Sequence, residues 1–260
     1  MIKKNVEIIT LIYKSVHYLH FIADQLKSDL CKADGWDVGV RVMANDATDE
    51  VLEELKHINI PYTIYNHINP SEFYLNRVYA AYNFCITSSD YDNVVLVNSD
   101  DAFSEGWLEN LLKHHDGINI PCSRKVEFKP GCQGVNLGDN HFGKSPAEFD
   151  RSGWEKWVEE NKRDIIMPGG LYMPGVLEKQ TIIDAGLYPT GNLFIENNAV
   201  VCGYPNDRPV WMSGDAFFFH NILESKHNMK HITVYDSLVY HIIEGEKKEK
   251  TKTQRRRTDA

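Results

Sequence analysis

Several things are scarce in this sequence of 260 residues, and each shortage removes a class of protein. Long apolar runs are missing, and no stretch approaches the roughly 18 residues of a membrane-spanning helix. The apolar segment 6–13, although preceded by lysines, is too short and too abruptly followed by polar residues to read as a signal peptide. Cysteine is sparse: Cys31, Cys85, Cys122, Cys132 and Cys202 are odd in number and include no Cys-x-x-Cys pair. That count suits free thiols in a reducing compartment better than a disulfide framework or a zinc knuckle. Positive charge is also short, with a net charge of −9. The basic residues gather in 244–260, where seven Lys/Arg face four Asp/Glu, so the rest of the chain is more acidic still. An acidic body does not make a nucleic-acid clamp. The expectation is a soluble cytoplasmic protein.

Hydrophobic residues make up 42% of the chain, enough for one large α/β domain. The first half alternates between the periods of strand and helix, as parallel βαβ units do. Residues 6–13 read as a strand, and Leu19, Ile22, Ala23, Leu26 and Leu30 follow at helical spacing. Strands at 38–43 and 62–65, helices at 49–57 and 74–86, and a strand at 94–97 continue the series. Right-handed crossovers bring the strand ends carrying Tyr13, Asn45-Asp46 and Asn98-Ser99-Asp100 to one crevice. The second half is less regular. It predicts a long loop over 123–150, a short helix around Trp154 and Trp157, a strand at 171–173, and a helix over 176–185. An irregular stretch at 191–209, a helix at 216–223 and strands at 231–234 and 238–241 follow. The tail 244–260, almost devoid of apolar residues, is expected to be disordered unless it closes over a ligand.

The run Val94-Val95-Leu96-Val97 stops at Asn98-Ser99-Asp100-Asp101, placing two adjacent carboxylates and an amide where a buried strand surfaces. Carboxylates there need a cation, a donor network or water, and we read a divalent-metal site for a nucleotide substrate. The alternative is a solvated turn in which Asp101 or Ser104 caps the next helix.

The strand ending near Tyr13, the turn Asn45-Asp46-Ala47-Thr48-Asp49, the helix 76–83 and the turn Asn98-Ser99-Asp100-Asp101 together resemble nucleotide-sugar glycosyltransferases of the GT-A fold, particularly the large inverting group. The resemblance covers 6–115 well and 165–242 loosely. It implies a mainly parallel Rossmann-like sheet flanked by helices, in a single domain over 1–243. Residues 1–115 form the donor half and 116–243 the acceptor half. Asp46 matches the aspartate that reads the uracil imide, with Thr48 or Asp49 as an alternative helix cap. Asn98-Ser99-Asp100 stands in place of the Asp-x-Asp motif, so Asp100 is implied as a ligand of Mn²⁺ or Mg²⁺, and Asn98 departs by carrying no charge. His241, at the end of a late strand, is implied to complete the metal sphere, or else is structural. Asp215, in Gly214-Asp215-Ala216, matches the general base; Gly214 stands where the family often has a second acid, and the alternative role for Asp215 is a helix cap. Arg77 and Lys14 are candidate cations for the diphosphate, each also an ordinary surface charge. Gly169-Gly170 and Trp211 are candidates for shaping the acceptor site, with Trp154, Trp157 and Tyr172 as further stacking platforms or core.

The reading is a metal-dependent inverting glycosyltransferase that moves a sugar from a nucleotide donor, UDP-linked, to a glycan or other hydroxyl-bearing acceptor. A nucleotidyltransferase is disfavoured because Tyr13-Lys14-Ser15-Val16 lacks the glycine-rich loop such enzymes carry after the first strand. A non-catalytic nucleotide- or sugar-binding module is the third reading, and a nucleic-acid acceptor has only the basic tail in its favour.

Overall fold

The computed structural model describes residues 4–68, 74–127, 135–137, 141–197, 199–202 and 210–242. Strands β1 (Asn5–Ile12), β2 (Asp37–Asn45), β3 (Tyr62–Tyr65) and β4 (Asn93–Val97) run parallel in the order β3-β2-β1-β4. Helices α1 (Val16–Leu26), α2 (Asp49–Leu55) and α3 (Tyr74–Thr87) connect them. All five residues of β4 and most of β1 are buried, as expected of strands covered on both faces. Helix α1 starts where the Ser15 hydroxyl accepts from Tyr18 N–H, and it buries Leu19, Ile22, Ala23 and Leu26 against the sheet. Ser15 therefore belongs to a helix cap rather than to a phosphate loop. Thr48 holds the cap position of α2, but its side chain makes no capping bond.

The second half extends the same sheet. It adds β5 (Asp101–Phe103), α4 (Trp107–Leu112), β6 (Asn119–Glu127), β7 (Val135–Asn136), α5 (Arg151–Asn161), β8 (Ile166–Pro168), β9 (Gly175–Glu178) and α6 (Lys179–Asp184). The hairpin β10 (Leu193–Glu196) and β11 (Ala199–Cys202), a helix over 214–227 and β12 (Lys230–His241) complete it. Beyond β4 the order is β9-β6-β12-β5. Strand β9 is antiparallel to both neighbours, β6 and β12 are parallel, and β5 returns antiparallel along β12. No helix among the described residues is long and apolar enough to cross a membrane.

Several second-half expectations are corrected. The loop expected from 123 is strand β6 through Glu127, because its polar side chains are satisfied by buried partners instead of water. No strand forms at 171–173. Gly169 and Gly170 take φ of 72° and 116°, which turns the chain out of β8, and pairing resumes only at β9. Val176 and Leu177 belong to β9, so the helix expected from 176 starts at Lys179. The stretch 191–209 contains the β10-β11 hairpin, and the two late strands are one strand with an irregularity between Val234 and Leu238. Parts of the expected 123–150 loop, Cys132 and the tail with Arg255-Arg256-Arg257 lie outside the described residues.

A buried ion pair ties the sheet to α3. Arg41 on β2 donates to Glu7 on β1 at 2.9 Å, to the Cys85 carbonyl at 3.1 Å and to Ser88 at 3.1 Å, and both charged side chains are about one-tenth exposed. Removing one partner strands the other in the core. Arg41→Met should destabilise the fold by about 3–5 kcal/mol in urea titration, whereas Glu7→Leu combined with Arg41→Met should cost far less than either single change.

Candidate active site

The turn after β4 closes on itself: Asp101 N–H donates to the Asn98 carbonyl at 3.2 Å, and Asn98 N–H donates to Asp101 Oδ2 at 3.1 Å. The chain then enters β5, where Asp101 lies opposite His241 of β12, and Ile242 N–H donates to the Asp100 carbonyl at 3.0 Å. The outer edge of β5 is closed by a side chain. Buried Gln25 of α1 accepts from Phe103 N–H at 2.8 Å and donates to the Asp101 carbonyl at 3.0 Å, as a neighbouring strand would. Asp101 is thus part of a strand and not a helix cap.

These main-chain bonds gather five ionisable groups. His241 Nε2 lies 3.3 Å from Asp100 Oδ2, and Nδ1 lies 2.7 Å from Glu127 Oε1. Lys125 Nζ lies 3.0 Å from Asp101 Oδ1. Burial and the Lys125 charge oppose the imidazolium, but hydrogen bonds to Asp100 and Glu127 outweigh them and raise His241 to about 9. Burial opposes the Asp100 carboxylate, yet His241 and then Lys125 hold it below the ordinary value. At Asp101 burial wins and raises it, against partial opposition from Lys125 and His241. Ligand atoms of Asp100, Asp101 and His241 all lie within 4.8 Å of one another, a mixed oxygen and nitrogen set that fits a divalent cation. Lys125 and Glu127 went unnoticed in the sequence because they sat in an expected loop; their i, i+2 spacing was the available signal.

A second group forms at the ends of β1 and β2. Asp46, at φ 50°, accepts from His67 N–H at 2.7 Å and from Arg77 Nη1 at 2.8 Å. The Tyr13 carbonyl accepts from Thr48 N–H, and the Arg77 guanidinium and Lys14 ammonium stand 6.0 and 5.8 Å from the Tyr13 ring centre. Arg77 is therefore partnered with Asp46 and is not an isolated cation. Asn45 ends β2 buried, while Asn98 and Ser99 are half-buried at the end of β4.

On the other side of α3, Asp215 sits in the first turn of the 214–227 helix. Ser213, not Asp215, holds the cap position; Asp215 Oδ1 accepts from Ala216 N–H, and its own N–H donates to the Tyr79 hydroxyl at 3.2 Å. A Cβ on Gly214 would lie 2.5 Å from the Gly191 carbonyl oxygen and 2.8 Å from the Tyr79 ring, so a second acid has no room there. The helix continues as a π-helix over Phe217–Glu224, with Phe218 and Phe219 buried. Tyr79 reaches Asp215, while buried Tyr82 on the same helix is raised by burial first and also feels Asp101 and Asp100. Trp211 is 46% exposed beside β10, whereas Trp154 is core, stacked on Trp157 and packed against Tyr240. Gly170 has its own constraint, since a Cβ would strike the Thr233 hydroxyl. Tyr172 lies on Phe219 and hydrogen-bonds His220, which pairs with Glu224. His115 is buried against Asn93, and burial lowers it, favouring the neutral ring.

Neither a family profile nor a curated relative matches the sequence. Solved structures do match the fold. GalNAc-T7, determined with UDP, GalNAc and Mn²⁺, superposes with a TM-score of 0.54 at 10% identity, over 92% of this chain and 44% of that one. The mannosyltransferase PcManGT from Pyrobaculum calidifontis, in complex with GDP-Man and Mn²⁺, gives 0.55 at 12% identity, over 93% of this chain and 58% of that one. The chain spans about half the length of these proteins. Its fold is the GT-A glycosyltransferase fold.

The crowding at Gly214 generates a direct expectation. Gly214→Ala should destabilise the protein by about 1–3 kcal/mol, read as a lowered urea midpoint with an unchanged slope.

Proposed function

We propose that this protein is a metal-dependent glycosyltransferase that moves a sugar from a nucleotide donor to an acceptor hydroxyl with inversion. The observation that carries the reading is the Asp100, Asp101 and His241 cluster at the strand ends of a GT-A fold. Asp100 and His241 would hold Mn²⁺ or Mg²⁺, with the imidazole favouring Mn²⁺. A divalent cation bound there supplies charge that offsets a departing diphosphate.

The chain's own residues take the remaining roles in this reading. Asp46 accepts the uracil imide N–H of a UDP donor; its two hydrogen bonds leave lone pairs, since a carboxylate offers about four acceptor sites. Arg77 fixes Asp46, and Tyr13, Asn45, Asn98 and Ser99 line the base and ribose side. Asp215 takes the acceptor proton as the hydroxyl attacks the anomeric carbon, and with one acid in the motif no second residue shares that task. Gly169, Gly170 and exposed Trp211 shape the acceptor side, Trp211 offering a ring face to a sugar. The donor half is 1–115 and the acceptor half 116–243.

Two measurements test the reading. Nucleotide release from UDP- and GDP-sugars with Mn²⁺, water serving as acceptor, should fall about a hundredfold or more in Asp215→Asn, with donor affinity and melting temperature retained. Near-normal release removes Asp215 as the base. Asp46→Ala should weaken binding of UDP more than of CDP, whose base has no imide N–H; equal losses in calorimetry would leave Asp46 a purely structural partner of Arg77.

A further inference from the structure

Strand β6 brings a buried lysine to a site proposed to bind a cation. Lys125 and Glu127 are only 6% and 5% exposed, and their spacing puts both on one face of β6. Glu127 stands beside His241 in register, and Lys125 beside Val239, so Lys125 reaches across β12 to Asp101 on β5. A buried ammonium is expensive to desolvate and persists only where a close opposite charge repays it. Asp101 is that charge. Asp101 Oδ1 lies 3.0 Å from Lys125 Nζ, Oδ2 accepts from Asn98 N–H at 3.1 Å, and the residue is fully buried, so the charge it would offer a metal is already met by the ammonium. Asp100 differs, because its Oδ2 faces His241 Nε2. Glu127, on Nδ1 of the same ring, fixes the imidazole so that Nε2 points to the Asp100 side.

We propose that Lys125 is a resident counter-cation that withholds Asp101 from metal ligation, so that the protein offers a divalent cation only Asp100 and His241. This rests on the metal-site reading above. A cation held by two protein groups keeps most of its positions for water and diphosphate oxygens, and its binding then depends on the nucleotide. The three-residue cluster would otherwise be a nucleotide-independent trap for cations. Lys125 also keeps the acidic strand end stable before any ligand arrives.

The test compares wild type, Lys125→Met, Lys125→Gln, and Lys125→Met combined with Asp101→Asn. Each is melted in EDTA and in saturating Mn²⁺, and titrated with Mn²⁺ with and without UDP or GDP. In EDTA, Lys125→Met should melt about 10 °C lower than wild type, because Asp101 is left uncompensated. Mn²⁺ alone should recover most of that loss and bind at least tenfold more tightly than to wild type. The double variant should melt near wild type in EDTA and gain no more from Mn²⁺ than wild type does. Should Lys125→Met fail to fold, Lys125→Gln keeps a hydrogen bond while losing the charge and must show the same Mn²⁺ rescue. A Lys125 variant that Mn²⁺ stabilises no more than wild type overturns the proposal, as does a double variant rescued as well as the single one. Wild type that takes no Mn²⁺ even with UDP or GDP instead overturns the metal reading of the whole site.

Discussion

Asp101 stands opposite His241 because β5 doubles back along the end of β12, and the Asp100 carbonyl accepts from Ile242 N–H one step further on. Main-chain pairing, not side-chain choice, therefore sets which acids meet the late histidine. Strand β5 is only three residues long and would be a weak edge by itself. Gln25 and Arg151 complete it from the outside: the Gln25 amide satisfies Phe103 N–H and the Asp101 carbonyl, and Arg151 donates to the Phe103 carbonyl and to Gln25. One helix from each half of the chain thus buttresses the strand that carries the carboxylates, and the position of the site depends on both halves being folded.

Electrostatics reinforce that geometry at a cost. Five ionisable side chains are gathered at the end of β12, and several kcal/mol of desolvation per buried ion is offset only by close partners. The partners form two sets: Lys125 serves Asp101, while His241 is shared by Asp100 and Glu127. A carboxylate behind an imidazole orients it and increases its basicity, which is the arrangement that supports a ligand histidine. It also explains why His241 is raised although burial and the Lys125 charge oppose its imidazolium.

The first half of the fold was legible because its strands and helices carry their periods without interruption. Leu19, Ile22, Ala23 and Leu26 are all buried on α1, and the fully apolar β4 is buried throughout. The strand-end turns followed from topology alone, and Asp100 and His241 do lie together. What failed was any inference from polarity to exposure. Ser123, Lys125 and Glu127 look like loop residues, yet each is buried with a polar partner contributed by β5 or β12. Arg77 likewise looked available for phosphate, and its pairing with Asp46 required knowing that α3 returns beside β2. Gln25 could not be singled out at all, since a polar position on α1 says nothing about an exposed strand edge that does not yet exist.

Helix α3 connects the two functional ends that the sequence could treat only separately. Its start holds Asp46 through Arg77, and its next turn meets Asp215 N–H through the Tyr79 hydroxyl, so the proposed base-reading turn and the proposed general base are referenced to one rigid element. The cost is local crowding. Tyr79 and the Gly191 carbonyl leave no volume for a side chain at 214, and the following helix runs in the π form over eight residues, a form that usually survives only where tertiary contacts or function require it. Here the contacts are visible: buried Phe218 packs on Tyr188 and Phe219 on Tyr172 and His231. Tyr188 in turn lies against Tyr79 and Tyr82, so an aromatic cluster links this helix to α3. A glycine at 214 is then the condition for Asp215 to sit where it does, and the missing second acid follows from packing, with no loss of function needed to explain it.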